Sequence, residues 1–392
     1  MNDPFTCTAD VRLKPGREAS VLRRHPWVYR GAMAGPFPGG TAPVRVVAAN
    51  GRPLGVALVG GSGRSLALRM VTWGEECWDA ATLRERVLDA ACLRDRLRLD
   101  ADAYRLVHSE GDLLPGLVID RYGATAVCQL FEPAWEPCLP VLSDVLGEEL
   151  GLGNVLVRKG DSPGSVPTTL RGVLPEAGVI IREGPLRFQV DLVGGQKTGF
   201  FLDQRENRRR IGSLARGARV LNLFSYSGGF AVTALAGGAT RAVNVDASEA
   251  ALTLARKAYE LNSLRVGGDD FIVGDAFRVV RALAAAGERF DIVIVDPPAF
   301  VKRRADLGAG LRGYKDINIQ ALRVLGTGGL LFTCSCSALV SEQQFGEVVS
   351  GAALDAGRAL RVLERRGAGP DHPVSAHCPE TSHLKAWLCA VN

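Results

Sequence analysis

The segment Arg219-Val220-Leu221-Asn222-Leu223-Phe224-Ser225-Tyr226-Ser227-Gly228-Gly229-Phe230 decides how this chain folds. An apolar strand runs from Arg219 to Phe224, two adjacent glycines turn the chain, and a helix begins at Phe230. The glycines let backbone approach a ligand closely, and the following helix offers unpaired N–H groups. The alternation then repeats: Ala242 to Val245, a helix from Ser248 to Asn262, Asp270 to Val273, Phe277 to Ala286, Asp291 to Val295, Ile317 to Leu325, Gly329 to Thr333. Such alternation predicts an α/β domain with a doubly wound, mostly parallel sheet, whose ligands sit at the carboxyl ends of the strands.

Three strand ends carry residues suited to a cofactor. Phe224, Ser225, Tyr226, Gly228, Gly229 and Phe230 form the first turn, Asp246 and Ala247 follow the second strand, and Asp275 and Ala276 follow the third. The turn is not Gly-x-Gly-x-x-Gly, which counts against a dinucleotide oxidoreductase because the third glycine and the pyrophosphate cradle are missing. An acid at Asp246 can accept hydrogen bonds from both ribose hydroxyls. Asp275 can accept an exocyclic adenine amine while the Ala276 backbone meets the ring edge. With no Lys or Arg in the glycine turn, the set suits S-adenosylmethionine better than a phosphate-bearing cofactor. The plainer reading of the same acids is helix capping.

The next two strand ends carry the chemistry. In Asp296-Pro297-Pro298-Ala299-Phe300 two prolines fix φ and remove donors, so a stiff turn presents Asp296 to cofactor and substrate alike. Phe300 can stack on a flat ring. The last strand leads into Phe332-Thr333-Cys334-Ser335-Cys336-Ser337. Cys334 and Cys336 share one face of an extended strand, and spacing alone does not choose between them. Burial as an inert thiol is an ordinary fate for either. Lys197, Gln204 and Arg205 precede the glycine turn; Arg205 or Lys197 is expected to pair with a cofactor carboxylate or an RNA phosphate. Tyr314, Lys315 and Asp316 open the helix after the acidic loop and are expected to line a base pocket.

Outward from this core lie two further sections, giving expected domains at 1–72, 73–185 and 186–392. The first mixes short β-type runs (Pro43 to Ala48, Leu54 to Val59, Leu66 to Val71) with Gly/Pro turns, and Glu18 to Tyr29 adds a short helix stopped at His25-Pro26. Residues 1–70 hold ten Lys/Arg against Asp3, Asp10 and Glu18, a balance of +7 that leaves −2 for the remainder of a chain whose net charge is +5. That asymmetry is an electrostatic footprint for a polyanion, and nucleic acid is the usual one. The middle section reads as a helix over Ala80 to Leu97, strands over Gly116 to Asp120 and Ala124 to Phe131, an amphipathic stretch over Cys138 to Leu150, and a strand over Val155 to Arg158. Ser162-Pro163-Gly164-Ser165-Val166-Pro167 reads as loop.

The 392 residues, 47% hydrophobic and 23% charged, have ordinary globular composition. No basic cluster followed by an apolar core opens the chain, and no apolar run reaches the roughly 18 residues of a membrane helix, so a cytoplasmic location is the default. Nine cysteines without a Cys-x-x-Cys pair suggest neither a disulfide framework nor a metal site, and thiols mostly reduced and buried.

Seven segments together resemble the ribosomal large subunit methyltransferase I family: Arg23-Arg24-His25-Pro26-Trp27-Val28-Tyr29, Glu110-Gly111-Asp112-Leu113-Leu114-Pro115-Gly116, Lys197 to Arg205, Phe224 to Phe230, Arg312-Gly313-Tyr314-Lys315-Asp316-Ile317-Asn318, Ser335-Cys336-Ser337 and Asp371-His372-Pro373. The resemblance implies S-adenosylmethionine-dependent methylation at C5 of cytosine in 23S ribosomal RNA. It implies an N-terminal PUA domain for RNA, a central α+β domain of strand-helix-strand type, and a Rossmann-like class I methyltransferase domain. It implies that the cysteine of Ser-Cys-Ser, Cys336 here, is the nucleophile, with Cys334 outside the motif. Glu342, six residues on, has a spacing similar to the cysteine motif of the wider RNA cytosine-C5 methyltransferases. Those relatives carry a second, release-assisting cysteine directly after Pro-Pro; this chain has Ala299 there.

On this reading Cys336 and Asp296 are catalytic. Pro297, Pro298, Phe300, Tyr314, Lys315, Arg23 and Arg24 contact the RNA, a base in folded RNA has to be flipped out or already unpaired, and a homodimer is compatible. A proton-shuttling His372 competes with one that merely orders its loop. Two rivals remain at this point. The Asp-Pro-Pro-x-Phe loop also resembles the amine-binding loop of N-methyltransferases acting on exocyclic amines or guanine, which need no thiol. A pure RNA-binding module would keep the basic section and a vestigial cofactor pocket.

Overall fold

The structure, a computed structural model, describes residues 3–61, 65–160, 166–195 and 197–392; Arg64 and most of the loop expected at Ser162 to Pro167 lie outside the described residues. None of the described helices is long and apolar enough to cross a membrane. The chain forms two compact units. One comprises Met1–Ile181, Asp191–Phe200 and Pro370–Thr381, the other Arg182–Val190, Phe201–Gly369 and Ser382–Asn392.

The first unit holds two five-stranded sheets. In one, Asp10–Arg12, Val44–Val47, Pro53–Val59, Leu66–Met70 and Trp27–Tyr29 lie side by side in that order over a core that includes Leu13, Val46, Ala57 and Leu68. The helix expected after Glu18 is one turn, Ala19–Leu22, and Pro26 leads into a strand, as the restriction on the residue before proline requires. The second sheet runs Thr168–Arg171, Asn154–Lys159, Thr125–Leu130, Leu117–Tyr122, Ala103–His108. Its one parallel pair joins Thr125–Leu130 to Asn154–Lys159, and the helical chain between them makes the crossover that parallel pairing needs. That crossover is not one helix. Pro137 lies in a 3-10 turn, Pro133–Cys138, and Pro140 in the first turn of the short helix Leu139–Asp144, followed by a π turn, Val145–Glu149. Helix Ala80–Leu97 starts where Asp79 accepts the Thr82 N–H at 2.7 Å.

Two of the segments that carry the family resemblance meet in this unit for structural reasons. Arg94 is buried and donates to both oxygens of Asp112 (2.6 and 2.8 Å) and to the Asp371 carbonyl (2.7 Å), while the Asp371 carboxylate accepts the Arg105 N–H at 3.0 Å. His372 is buried with its ring centroid 5.1 Å from that of His108. The Asp371-His372-Pro373 segment therefore orders its loop, and the shuttle role for His372 falls away because solvent does not reach it.

The second unit is the α/β domain. The strands of its seven-stranded sheet are β1 (Arg219–Leu223), β2 (Arg241–Asp246), β3 (Phe271–Val273), β4 (Phe290–Val295), β5 (Leu325–Ser335), β6 (Leu360–Arg366) and β7 (Lys385–Val391). Its helices are α1 (Arg205–Leu214), α2 (Gly229–Ala236), α3 (Glu249–Leu261), α4 (Ala276–Ala285), α5 (Leu307–Val324) and α6 (Glu342–Asp355). The sheet order is β3-β2-β1-β4-β5-β7-β6, parallel through β5 and antiparallel at β7 and β6. The chain starts at β1, moves out to β3 and returns to β4, so the switch in strand order falls between β1 and β4. Val220 to Leu223 and Ile292 to Val295 are unbroken buried runs, as strands covered on both faces must be. Helix α5 begins ten residues before the expected Ile317. Its early glycines hide it from a periodicity reading, yet they allow close packing: a Cβ at Gly310 would stand 2.3 Å from Val301 Cγ2, and one at Gly313 would stand 3.2 Å from the Phe300 ring.

Candidate active site

The turn after β1 is conformationally strained. Phe224, Tyr226 and Gly228 have φ of +59°, +46° and +74°, a region non-glycine residues enter at a cost. The turn is held by its neighbours: Asp246 Oδ2 accepts the Tyr226 N–H at 2.8 Å, and the Ser225 N–H donates to the Val245 carbonyl at 3.0 Å. Asp246 Oδ1 accepts the Ser248 N–H at 2.9 Å. Asp246 thus does the plainer work of fixing backbone, and its half-exposed carboxylate retains lone pairs for a ligand. The Ser225 hydroxyl is buried and has no hydrogen-bond partner, so the turn keeps an unused polar group.

Asp275 caps α4 by accepting the Arg278 N–H at 2.9 Å and is exposed; Ala276 is buried and Ala247 exposed. The rings of Phe224, Phe277 and Phe300 lie with centroids 6.0 to 6.3 Å apart, so the ends of β1, β3 and β4 share an aromatic cluster. Phe277 was not among the expected residues, although it follows Asp275-Ala276 directly.

At the ends of β4 and β5 the thiol and the acid-bearing loop meet. Cys336 lies one residue past β5, half-buried, and its Sγ donates to the Pro297 carbonyl at 3.7 Å. Asp296 is half-buried at the end of β4, with Pro297 buried and Pro298 exposed after it. Cys334 is a different thiol. It is buried within β5, accepts from Gln204 Nε2 at 3.6 Å, and burial first, then the charge of Asp296, hold its pKa well above the ordinary value. Of the two, Cys336 is the one that is not fully buried.

Several expected roles change. Tyr314 does not line an open pocket: it is buried, its hydroxyl is 2.9 Å from Ser337 Oγ, and its ring supports Phe300 at 4.6 Å. Lys315 pairs with Asp355 at the end of α6 (2.9 Å), because adjacent helical residues point to different sides. Arg205 is 1% exposed and paired with Glu206 at 3.2 Å, which removes it from any RNA phosphate. Lys197, in the first unit, is exposed with φ +51°. Arg23 and Arg24 are exposed there too, Arg24 lying 5.8 Å from the Trp73 ring centroid.

Of the nine cysteines, all free, five are buried. In the first unit His25, Cys378 and Glu380 bring three ligand-type atoms within 4.8 Å. His25 Nδ1 accepts the Trp27 N–H at 3.2 Å, so in the neutral ring Nε2 carries the proton, and burial pushes the Cys378 thiol up to about 12. Both features oppose metal ligation.

Sequence reasoning missed Lys385, the first residue of β7, which is 6% exposed and donates to the carbonyls of Ser337 (2.7 Å) and His383 (2.9 Å). A lysine opening the otherwise apolar run Ala386-Trp387-Leu388-Cys389-Ala390-Val391 is the signal that could have found it.

A glycine turn with an unpartnered hydroxyl, an acid on the next strand and no phosphate-binding cation fits S-adenosylmethionine. The S-adenosylmethionine-dependent methyltransferase family matches residues 151–388, and a PUA-like domain matches residues 11–73. The chain is an S-adenosylmethionine-dependent methyltransferase carrying a PUA-like domain. A protein of Cronobacter sakazakii named ribosomal RNA large subunit methyltransferase I is 38% identical over 390 residues, 97% of this chain and 98% of that one. This chain belongs to the ribosomal RNA large subunit methyltransferase I family. Among solved structures, a candidate methyltransferase from Streptococcus mutans superposes with a TM-score of 0.87 at 21% identity, covering 98% of this chain and all of that one, which shows the shared fold. So does SMU.776, complexed with SAH, at 0.87 and 20% identity over 98% of this chain and all of that one.

Proposed function

We propose that this enzyme methylates C5 of a cytosine in 23S ribosomal RNA through a covalent bond between Cys336 and C6. The observation that carries the reading is the half-buried Cys336 beside the Asp296-Pro297-Pro298 loop, its Sγ 3.7 Å from the Pro297 carbonyl. C5 of cytosine is a poor nucleophile, so a thiolate must first add to C6 and push electron density onto C5. Asp296 holds the ring at N3 and N4 and shares a proton with N3, stabilising the charge that develops on addition. Phe224, Ser225, Tyr226, Gly228, Gly229, Phe230, Asp246, Ala247, Asp275 and Ala276, together with Asp296, would hold S-adenosylmethionine. That cofactor supplies an electrophilic sulfonium methyl group to the activated C5. Transfer of the C5 proton to solvent re-forms the C5–C6 double bond and breaks the C6–S bond to release the Cys336 thiolate, with no second thiol at Ala299 to assist. Pro297, Pro298 and Phe300 form the wall against which the base lies.

RNA built with 5-fluorocytosine tests this, because fluorine at C5 cannot leave as a proton and the adduct persists. A 23S transcript of that kind is expected to give a complex with the enzyme that survives denaturation and maps to Cys336. Methyl transfer to a base nitrogen with no such complex would replace this reading by N-methylation.

The residues divide as 1–72 for RNA, 73–185 as the central domain and 186–392 for methyl transfer, with Asp191–Phe200 and Pro370–Thr381 belonging to the first compact unit; a cytoplasmic location and a homodimer are compatible with this reading. Support for RNA contact in the first section is its surface of exposed cations, Arg12, Lys14, Arg17, Arg23, Arg24, Arg45 and Arg52. Replacing Arg23 and Arg24 together by alanine is expected to weaken RNA affinity and to reduce the slope of log affinity against log salt by about 1 to 2. S-Adenosylmethionine affinity, measured by titration, stays unchanged. Equal loss of both affinities would refute a dedicated RNA surface.

A further inference from the structure

Lys385 is a cation in an unusual place. β7 runs antiparallel to β5 with Lys385 opposite Ser335, and the ammonium reaches past the strand end to the carbonyl of Ser337, so the Lys385 chain brackets Cys336. Its two hydrogen-bond partners are carbonyls, and among the described residues no carboxylate stands within ion-pair distance of it. A buried ammonium without a counter-ion is costly, and an anion beside it offsets that cost. Among the described residues, Cys336 from the end of β5 and Glu342 from the start of α6 act on the Lys385 charge and the His383 carbonyl accepts from it, while Cys334 with Asp296 and Tyr314 from α5 stand around Cys336. Asp203 acts on Cys334 and contacts His383 at 3.4 Å. Glu342 is engaged by the Trp387 indole N–H, and Tyr314 is hydrogen-bonded to Ser337. Of these, Cys336 is the thiol that is not fully buried and gains from a neighbouring cation.

We propose that Lys385 is a positioning residue that holds a positive charge against Cys336, so that the thiolate is what meets the base. Burial lowers the pKa of Lys385 itself, and a negative charge on Cys336 or Glu342 acts against that lowering. The Pro297 carbonyl, which accepts the Cys336 S–H, works in the opposite direction by favouring the thiol. The proton leaving Cys336 passes to solvent and the ammonium keeps its own, so no base has to be regenerated. This role rests on the covalent reading above, yet the ionisation of Cys336 is measurable without RNA.

The test is the pH dependence of Cys336 alkylation by iodoacetamide, followed by peptide mass analysis in the full chain, with exposed Cys77 and Cys92 as internal references. Lys385→Met is expected to move the Cys336 midpoint upward by about one pH unit or more. Lys385→Arg is expected to keep it within a few tenths of the native value, and the reference thiols stay put. An unmoved midpoint in Lys385→Met, or equal upward shifts in both variants, would overturn the proposal. Should Lys385→Met fail to bind S-adenosylmethionine and so to fold, Lys385→Gln decides, since glutamine keeps an N–H donor for the carbonyls of Ser337 and His383 and carries no charge. Its Cys336 midpoint is expected to rise as in Lys385→Met; a native midpoint overturns the proposal. A fully active Cys336→Ala enzyme alongside a Lys385-dependent midpoint would retire the covalent mechanism and leave the ion pair standing.

Discussion

Alanine at Cys336 is expected to slow methyl transfer to 23S ribosomal RNA by about 10⁴-fold or more, with S-adenosylmethionine affinity and thermal stability close to native. Without the thiol there is no addition to C6, and C5 stays too weak a nucleophile for the reaction at neutral pH. A 10⁴-fold loss corresponds to about 5.5 kcal/mol of transition-state stabilisation, more than packing around a half-buried side chain could account for. Cys334→Ala separates chemistry from packing. Cys334 is buried in β5 and its thiol is held well above the ordinary pKa by burial and by Asp296, so its loss should leave the rate within a few-fold while lowering stability. Single-turnover rates on both variants, with cofactor titration as the folding control, make the comparison. Full activity in Cys336→Ala would rule out the covalent mechanism.

Asp296→Asn is expected to cost about 10²- to 10⁴-fold in kcat/KM. The prolines after Asp296 leave its backbone little freedom, and asparagine keeps the shape while removing both the charge and the proton acceptor. The loss should fall on the chemical step. The cofactor turn is pinned by Asp246 rather than by Asp296, so S-adenosylmethionine affinity should fall by no more than a few-fold. A variant with native kcat and a large loss of cofactor affinity would make Asp296 a cofactor ligand and leave the base without its holder.

The alternating strands were legible because buried parallel strands are short apolar runs closed by turn residues. Asn222 and Asn244 did not spoil that pattern, since they pair with each other at 3.1 Å inside the sheet. Helix boundaries marked by caps, such as Ser248 and Asp275, were legible too. The start of α5 was not, because its glycines answer to contacts with Phe300 and Val301 that lie across a loop. The strands β6 and β7 follow no periodicity a reader would trust: β6 is largely exposed, and β7 is defined by the strand it pairs with.

Site residues divide in the same way. A strand-end acid, a glycine turn and a Pro-Pro loop announce themselves locally. Which way a side chain points does not. Tyr314 and Lys315 are neighbours in sequence, yet the first supports Phe300 from within the core and the second pairs with Asp355. Arg205 looked like a ligand for an anion and is buried against Glu206.

By itself the sequence determined the α/β class, the glycine turn, the acids at the strand ends and the two thiols of Cys334-Ser335-Cys336, because each rests on local backbone preference or on burial pattern. The family resemblance singled out Cys336, and only the tertiary structure showed how differently the two thiols are buried and which strand runs beside them. Burial of Cys334, the incomplete burial of Cys336 and the arrival of Lys385 from β7, nearly 50 residues downstream, are consequences of strand order, and strand order is set by long-range packing that no local pattern encodes.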